Sequence, residues 1–80
     1  KCIELFAGRG ALTFFYKRIF DKDITNDKQN FDNLDYNLSC EEFIKNELKN
    51  HLDFDLIDFD DEGCPSKEIQ LFFNKIKNIF

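Results

Sequence analysis

Three stretches of this chain carry residue types whose spacing could do chemistry. The first is Ala7-Gly8-Arg9-Gly10, a small-residue turn between an apolar run and an apolar-periodic segment. Glycine there admits positive φ and lets a ligand come close to bare backbone. The segment that follows opens with unpaired N–H groups, a natural place for a polar or anionic ligand. The second is Asp27, about twenty residues beyond the glycine turn, where nucleotide-binding α/β folds place an acid that accepts hydrogen bonds from both ribose hydroxyls. Asp23 and Asn26 are the alternatives should the strand be shifted. The third is Asp58-Phe59-Asp60-Asp61-Glu62-Gly63-Cys64-Pro65. Asp58, Asp60, Asp61 and Glu62 crowd together as a solvated loop or, less often, a cation site; we assign no metal. Asp58 and Asp60 alternate with apolar residues, which ties at least one of them to a strand tip. Cys64 could attack only as a thiolate, and Lys67 or the following helix N-terminus are the neighbours that could favour that form. His51 stands in a loop without an evident partner and reads as solvated.

These groups need elements to hold them. Cys2, Ile3, Leu5 and Phe6 predict a buried strand over 1–6. Leu12, Phe15, Tyr16 and Ile19 at helical spacing predict a core-facing helix over 10–19. Asp21-Lys22-Asp23 makes a turn, and Ile24-Thr25-Asn26 a short strand ending at Asp27. Residues 28–37 are polar and lack helical periodicity, with 35–38 a brief third strand. Ser39 or Cys40 caps a helix from Glu41 to Leu48 or Asn50, Glu42 completing a capping box and Phe43, Ile44 and Leu48 forming its apolar stripe. Phe54, Leu56, Ile57 and Phe59 predict a fourth, buried strand with acids at its carboxyl end, the end where open α/β sheets bind ligands. Pro65 suits the first turn of a last helix, whose Ile69, Phe72, Phe73, Ile76 and Phe80 form a broad buried face. Strands alternating with helices predict an α/β fold.

The stretch Glu4-Leu5-Phe6-Ala7-Gly8-Arg9-Gly10-Ala11-Leu12-Thr13 resembles the first motif of class I S-adenosylmethionine-dependent methyltransferases. It is similar to the Phe-Ala-Gly-x-Gly-Ala-Leu variant of several nucleic-acid methyltransferases, with Phe6 in place of the family's first glycine. Residues 58–65 resemble the family's fourth motif, in the form Asp-x-Asp-Pro-Phe-Gly-Ser-Pro of enzymes that methylate exocyclic amino groups of tRNA guanine. Asp58, Asp60, Gly63 and Pro65 match that form, while Asp61, Glu62 and Cys64 replace its Pro, Phe and Ser.

The resemblance implies a Rossmann-like three-layer sandwich truncated to about its first four strands, in the order 3-2-1-4 that right-handed crossovers also favour. Residues 1–80 would form a single partial S-adenosylmethionine-binding domain, without the family's helix between strands two and three. It implies S-adenosylmethionine as cofactor. Gly8 and Gly10, with Phe6 and Ala7, would lie beside the donor's methionine part, and Glu4 would support the turn or the donor's amino group. Asp27 would take the ribose, and Ser39 or Cys40 would stand where the family places an acid near adenine, capping being the preferred role for Ser39. Asp58 would sit at the strand tip, and Asp60 would be the catalytic acceptor for the target amine, although the family's stacking aromatic is missing. The transfer would go to an exocyclic amino group of a nucleic-acid base. Cytosine-5 methyltransferases offer an alternative, but their Pro-Cys dipeptide is reversed here as Cys64-Pro65. Two further alternatives are a nucleotide- or dinucleotide-binding module, for which Arg9 is the one hint, and a non-catalytic fragment that associates through an open sheet edge.

Bulk properties bound these readings. The chain has 80 residues, opens on lysine and holds no methionine, and we read it as one small domain or a piece of a longer protein. Eleven phenylalanines suffice for a core. A net charge of −5 argues against a nucleic-acid-binding surface on this chain itself, so such a substrate would be held by elements outside it. Cys2, Cys40 and Cys64 form no C-x-x-C pair, which argues against a zinc site or a disulfide framework and for a reduced, cytoplasmic setting. No run of about twenty apolar residues predicts a membrane span.

Overall fold

In a strand, successive side chains leave opposite faces, and here the two faces differ in chemistry. The computed structural model describes residues 1–60 and 65–79. Its strands are β1 (Cys2–Glu4), β2 (Asp23–Thr25) and β3 (Leu56–Asp58), and its helices α1 (Thr13–Ile19), α2 (Cys40–Asn46) and α3 (Ser66–Ile79), with a 3₁₀ turn at Leu48–Asn50. The strands form a parallel open sheet in the order β2-β1-β3, with Ile3 beside both Ile24 and Ile57 and Glu4 beside both Thr25 and Asp58. Ile3, Leu5 and Ile24 pack with Phe43, Ile44, Leu48 and Phe72 into the hydrophobic core, with Ile57 against it. Phe54 and Phe59 set their ring edges against Phe72 at centroid distances of 6.0 and 5.6 Å. Full burial of a side chain such as Phe43 is worth about 2–3 kcal/mol.

The other face carries Cys2, Glu4, Asp23, Thr25 and Asp58, and α1 docks on it through polar bonds. Thr13 Oγ1 donates to Glu4 Oε2 at 2.7 Å, and the Tyr16 hydroxyl donates to Asp58 Oδ2 at 2.6 Å. This corrects the expected core face of the first helix: Leu12, Phe15 and Ile19 are exposed, Ile19 by 73%. An apolar stripe finds nothing to bury against where the sheet presents carboxylates, so positions 13 and 16 turn inward instead. The helix is also shorter than expected, beginning at Thr13 with no side-chain cap.

The expected third strand is reduced to an isolated parallel bridge, Asn26 to Tyr36, which continues the sheet order beyond β2. Side chains replace the missing ladder. Asp35 Oδ2 accepts from Thr25 N and Thr25 Oγ1 at 2.9 and 3.1 Å. Asn37 Nδ2 donates to the carbonyls of Asp27, Lys28 and Gln29 at 2.9 to 3.2 Å. Asp23, expected in the turn, belongs to β2, whereas β1 and β3 are shorter than the expected strands.

Ser39 caps α2 as expected, its Oγ accepting from Glu42 N at 3.1 Å, but the capping box is only half formed: Glu42 Oε1 accepts from the Ser39 hydroxyl at 3.2 Å rather than from the Ser39 backbone N–H. Ser39→Ala is expected to cost about 1 kcal/mol of stability, and Ser39→Asp to restore most of it, as read by urea unfolding.

His51 corrects its expected solvated setting. It is buried, its Nε2 lies 2.9 Å from the Tyr36 hydroxyl, and its ring stacks on Phe43 with planes 13° apart. Burial lowers its pKa and favours the neutral imidazole. In α3 Phe72 is buried while Phe73 is 61% exposed, so the helix buries a narrower stripe than expected; Phe80 lies outside the described residues. Among the described residues no helix is long and apolar enough to cross a membrane.

Candidate functional site

The carboxyl ends of β1, β2 and β3 converge on one cleft. After β1 the backbone turns sharply at Gly8 (φ +58°) and Gly10 (φ +91°), conformations that side-chain-bearing residues rarely adopt. The turn is held by Ala7 N donating to Asn26 O at 2.8 Å and Gly10 N donating to Ala7 O at 3.1 Å. A Cβ built on Gly8 would meet no atom within 4 Å, so protein packing does not demand the glycine. Its φ does, and a side chain there would enter open space beside the glycine turn.

Asp27 closes the turn from the β2 side. Its Oδ2 accepts from Gly8 N and its Oδ1 from Gln29 N, both at 2.9 Å. The acid expected to hold a ribose therefore clamps the glycine turn, and each oxygen keeps a lone pair for a further donor.

The cleft encloses about 540 Å³, within the range of small-molecule sites. Phe6, Gly8, Asp27, Ser39, Cys40 and Asp60 all line it, drawn from four separate stretches of the chain. Residues that sequence reasoning missed complete it: Lys28, Gln29 and Phe31 from the segment after Asp27, with Glu41 and Glu68 at the starts of α2 and α3. Phe31, an aromatic in a mostly polar loop, was the available signal for the first group. Asp27, Glu41, Asp60 and Glu68 face a single lysine, so the lining carries an excess of acid.

The remaining expected site residues lie nearby but apart. Ala7 and Gly10 line a second cavity of about 250 Å³ on the far side of the glycine turn, which shares Gly8 with the first. Asp58 is turned under α1 toward Tyr16, and its Oδ1 accepts from Asp60 N at 2.7 Å, bracing the backbone that carries Asp60. The Asp58 bond also pushes the Tyr16 pKa up. Asp61, Glu62, Gly63 and Cys64, including the cysteine of the pyrimidine alternative, lie outside the described residues.

Glu4 faces away from both cavities and is 2% exposed. Burial, then the neighbouring Asp23, pushes its pKa up to about 8 against the Thr13 bond, which lowers it. Burial and its acidic neighbours thus favour the protonated form of Glu4. Both Asp23 oxygens are buried without a hydrogen-bond partner among the described residues, and Asp23 helps to raise the pKa values of Glu4 and of the Cys2 thiol. Burial and Asp23 push that thiol up to about 12, leaving it a poor nucleophile. Glu4 acts here as a support: through Thr13 it ties the start of α1 to the end of β1, across the glycine turn. Among the described residues no cluster of His, Cys, Asp and Glu could hold a metal ion.

No protein-family model, curated protein or solved structure matches this chain.

Proposed function

We propose that this chain binds S-adenosylmethionine in the cleft at the strand ends and belongs to a methyltransferase acting on an amino group, in our reading that of a nucleic-acid base. One observation carries the proposal: a single cleft gathers Phe6, Gly8, Asp27, Ser39, Cys40 and Asp60, six of the residues that the family resemblance assigns to donor and acceptor. The Rossmann-like methyltransferase fold belongs to the same proposal, supported by the parallel order β2-β1-β3 and the bridge beyond β2.

The residues suit this donor. When bound, S-adenosylmethionine supplies a methyl group already activated on a sulfonium, so the protein's part is proximity and orientation. Gly8 offers backbone without a side chain, Asp27 offers lone pairs to ribose hydroxyls, and Phe6 and Phe31 offer apolar wall. The acidic lining tolerates a cationic sulfonium. Asp60 accepts a hydrogen bond from the target amine and holds its lone pair toward the methyl carbon. Asp60, or water, would take up the amine proton once the methyl group had been transferred. A base within a duplex would first be flipped out, and its phosphates would be held by elements outside this acidic chain.

The nucleotide-binding alternative fits less well. Phosphates need cationic or N–H-rich surroundings, whereas the cleft places four carboxylates against Lys28 alone, and Arg9 lines the second cavity instead. Calorimetric titration of the chain decides between them. The expected result is saturable binding of one S-adenosylmethionine per chain, displaced by S-adenosylhomocysteine and not by NAD. A folded chain that binds neither donor nor product would overturn the proposal.

A further inference from the structure

Asn26 is fully buried at the end of β2, on the face that carries the apolar core. An apolar side chain would be the ordinary choice on such a face. Asparagine instead spends its whole amide on backbone. Nδ2 donates to Leu5 O at 3.2 Å and to Leu38 O at 3.0 Å, while Oδ1 accepts from Leu38 N at 3.0 Å. Its own N donates to Glu4 O and its own O accepts from Ala7 N, both at 2.8 Å. Buried amides left unpaired are costly, so this fully matched set defines one arrangement of the three segments.

The partners are not arbitrary. Leu5 precedes Phe6, Ala7 precedes Gly8, Asn26 precedes Asp27 and Leu38 precedes Ser39, and each of those second residues lines the cleft. One side chain therefore stands directly behind the glycine turn, the Asp27 carboxylate and the Ser39 wall. It does so where a bridge and the side chains of Asp35 and Asn37, in place of a third strand, hold 35–38 against β2 and the segment after it.

We propose that Asn26 is the positioning residue of the cleft, setting the spacing between the Gly8–Asp27 wall and the Ser39–Cys40 wall and thereby the affinity for the donor. The inference rests on the proposed function for its ligand, although the geometry it describes stands without it.

Asn26→Asp tests it, because the substitution keeps the shape and replaces the Nδ2 donor by an oxygen facing two carbonyls. At mildly alkaline pH the introduced carboxylate repels Leu5 O and Leu38 O. Affinity of the folded variant for S-adenosylmethionine is expected to fall by about tenfold or more, the loss of one or two buried hydrogen bonds. At mildly acidic pH the introduced carboxyl takes up a proton, donates to one carbonyl and still accepts from Leu38 N. The affinity ratio to the native chain, measured at the same pH, is expected to recover in part. Asn26→Leu is expected to show the loss without the recovery. Amide exchange of Ala7 and Leu38 should follow the same pattern. A purely structural role predicts a lowered melting temperature in both variants with the affinity of the folded protein unchanged, and that result overturns the proposal. If the native chain binds no donor, the functional reading fails by itself. The exchange rates then decide alone: unchanged protection of Ala7 and Leu38 in folded Asn26→Asp overturns the positioning role, and lost protection supports it.

Discussion

Asp27→Ala is expected to weaken S-adenosylmethionine binding by roughly a hundredfold while leaving the chain folded. The substitution removes the two carboxylate oxygens proposed to meet the ribose and also frees Gly8 N and Gln29 N from the carboxylate that pins them. Charge-assisted bonds of this kind are each worth about 1.5–3 kcal/mol, so even partial loss reaches that magnitude. Asp27→Asn, which keeps one carbonyl oxygen, should fall between the two. Gly8→Val should act from the opposite wall. It forces a β-branched residue to φ +58° at a cost of roughly 1–2 kcal/mol and adds bulk at a residue that lines the cleft. Calorimetry with circular dichroism on each variant separates lost binding from lost fold. Native-like affinity in folded Asp27→Ala would remove Asp27 from the donor site.

The second large effect is in stability against pH. Glu4 has an ordinary pKa of 4.5 in the unfolded chain and about 8 when folded, mainly because burial opposes its charged form. Between those values the folded state holds more proton than the unfolded state. Its contribution to stability is therefore fully present below about pH 4.5, declines as pH rises, and is gone above about pH 8. A buried acid shifted this far contributes on the order of a few kcal/mol. Urea unfolding across this window should show stability falling as the pH is raised. Glu4→Gln keeps an acceptor for Thr13 and gains a permanent donor for Asp23, so its profile should be flatter and its stability above pH 8 greater than the native chain's. Parallel profiles for the two proteins would contradict the assignment of this proton to Glu4.

Much of this was legible in the residues themselves. The glycine turn announced positive φ, Ser39 and Glu42 announced a helix start, and the alternation of β with α segments announced a parallel α/β sheet; the structure contains all three. The orientation of α1 was not read correctly, because helical periodicity reports which residues are apolar and not what they will meet. The signal lay in the strands instead. Cys2 and Glu4, Asp23 and Thr25, and Asp58 alternate with apolar partners, which makes one face of the sheet polar. His51 was misplaced for a similar reason: its partners, Tyr36 and Phe43, come from distant segments and form no local pattern. Within the cleft, the residues with chemical spacing were found, while Glu41 and Glu68 arrive only through the packing of two helix starts around the strand ends.

The register of the sheet also dictates when the cleft can exist. Cys2 pairs with Leu56, well over half the chain away, and Ile3 pairs with Ile24 across the first helix. No strand pairs with its immediate neighbour through a tight hairpin. Each pairing must close a long loop before it is rewarded, a topology of high contact order that folds slowly for its size. The four stretches that line the cleft meet only after the last of these closures, so binding competence and global folding arrive together. A donor that binds the assembled cleft and not the open chain must then raise the melting temperature as its concentration grows, and it should slow unfolding more than it speeds folding.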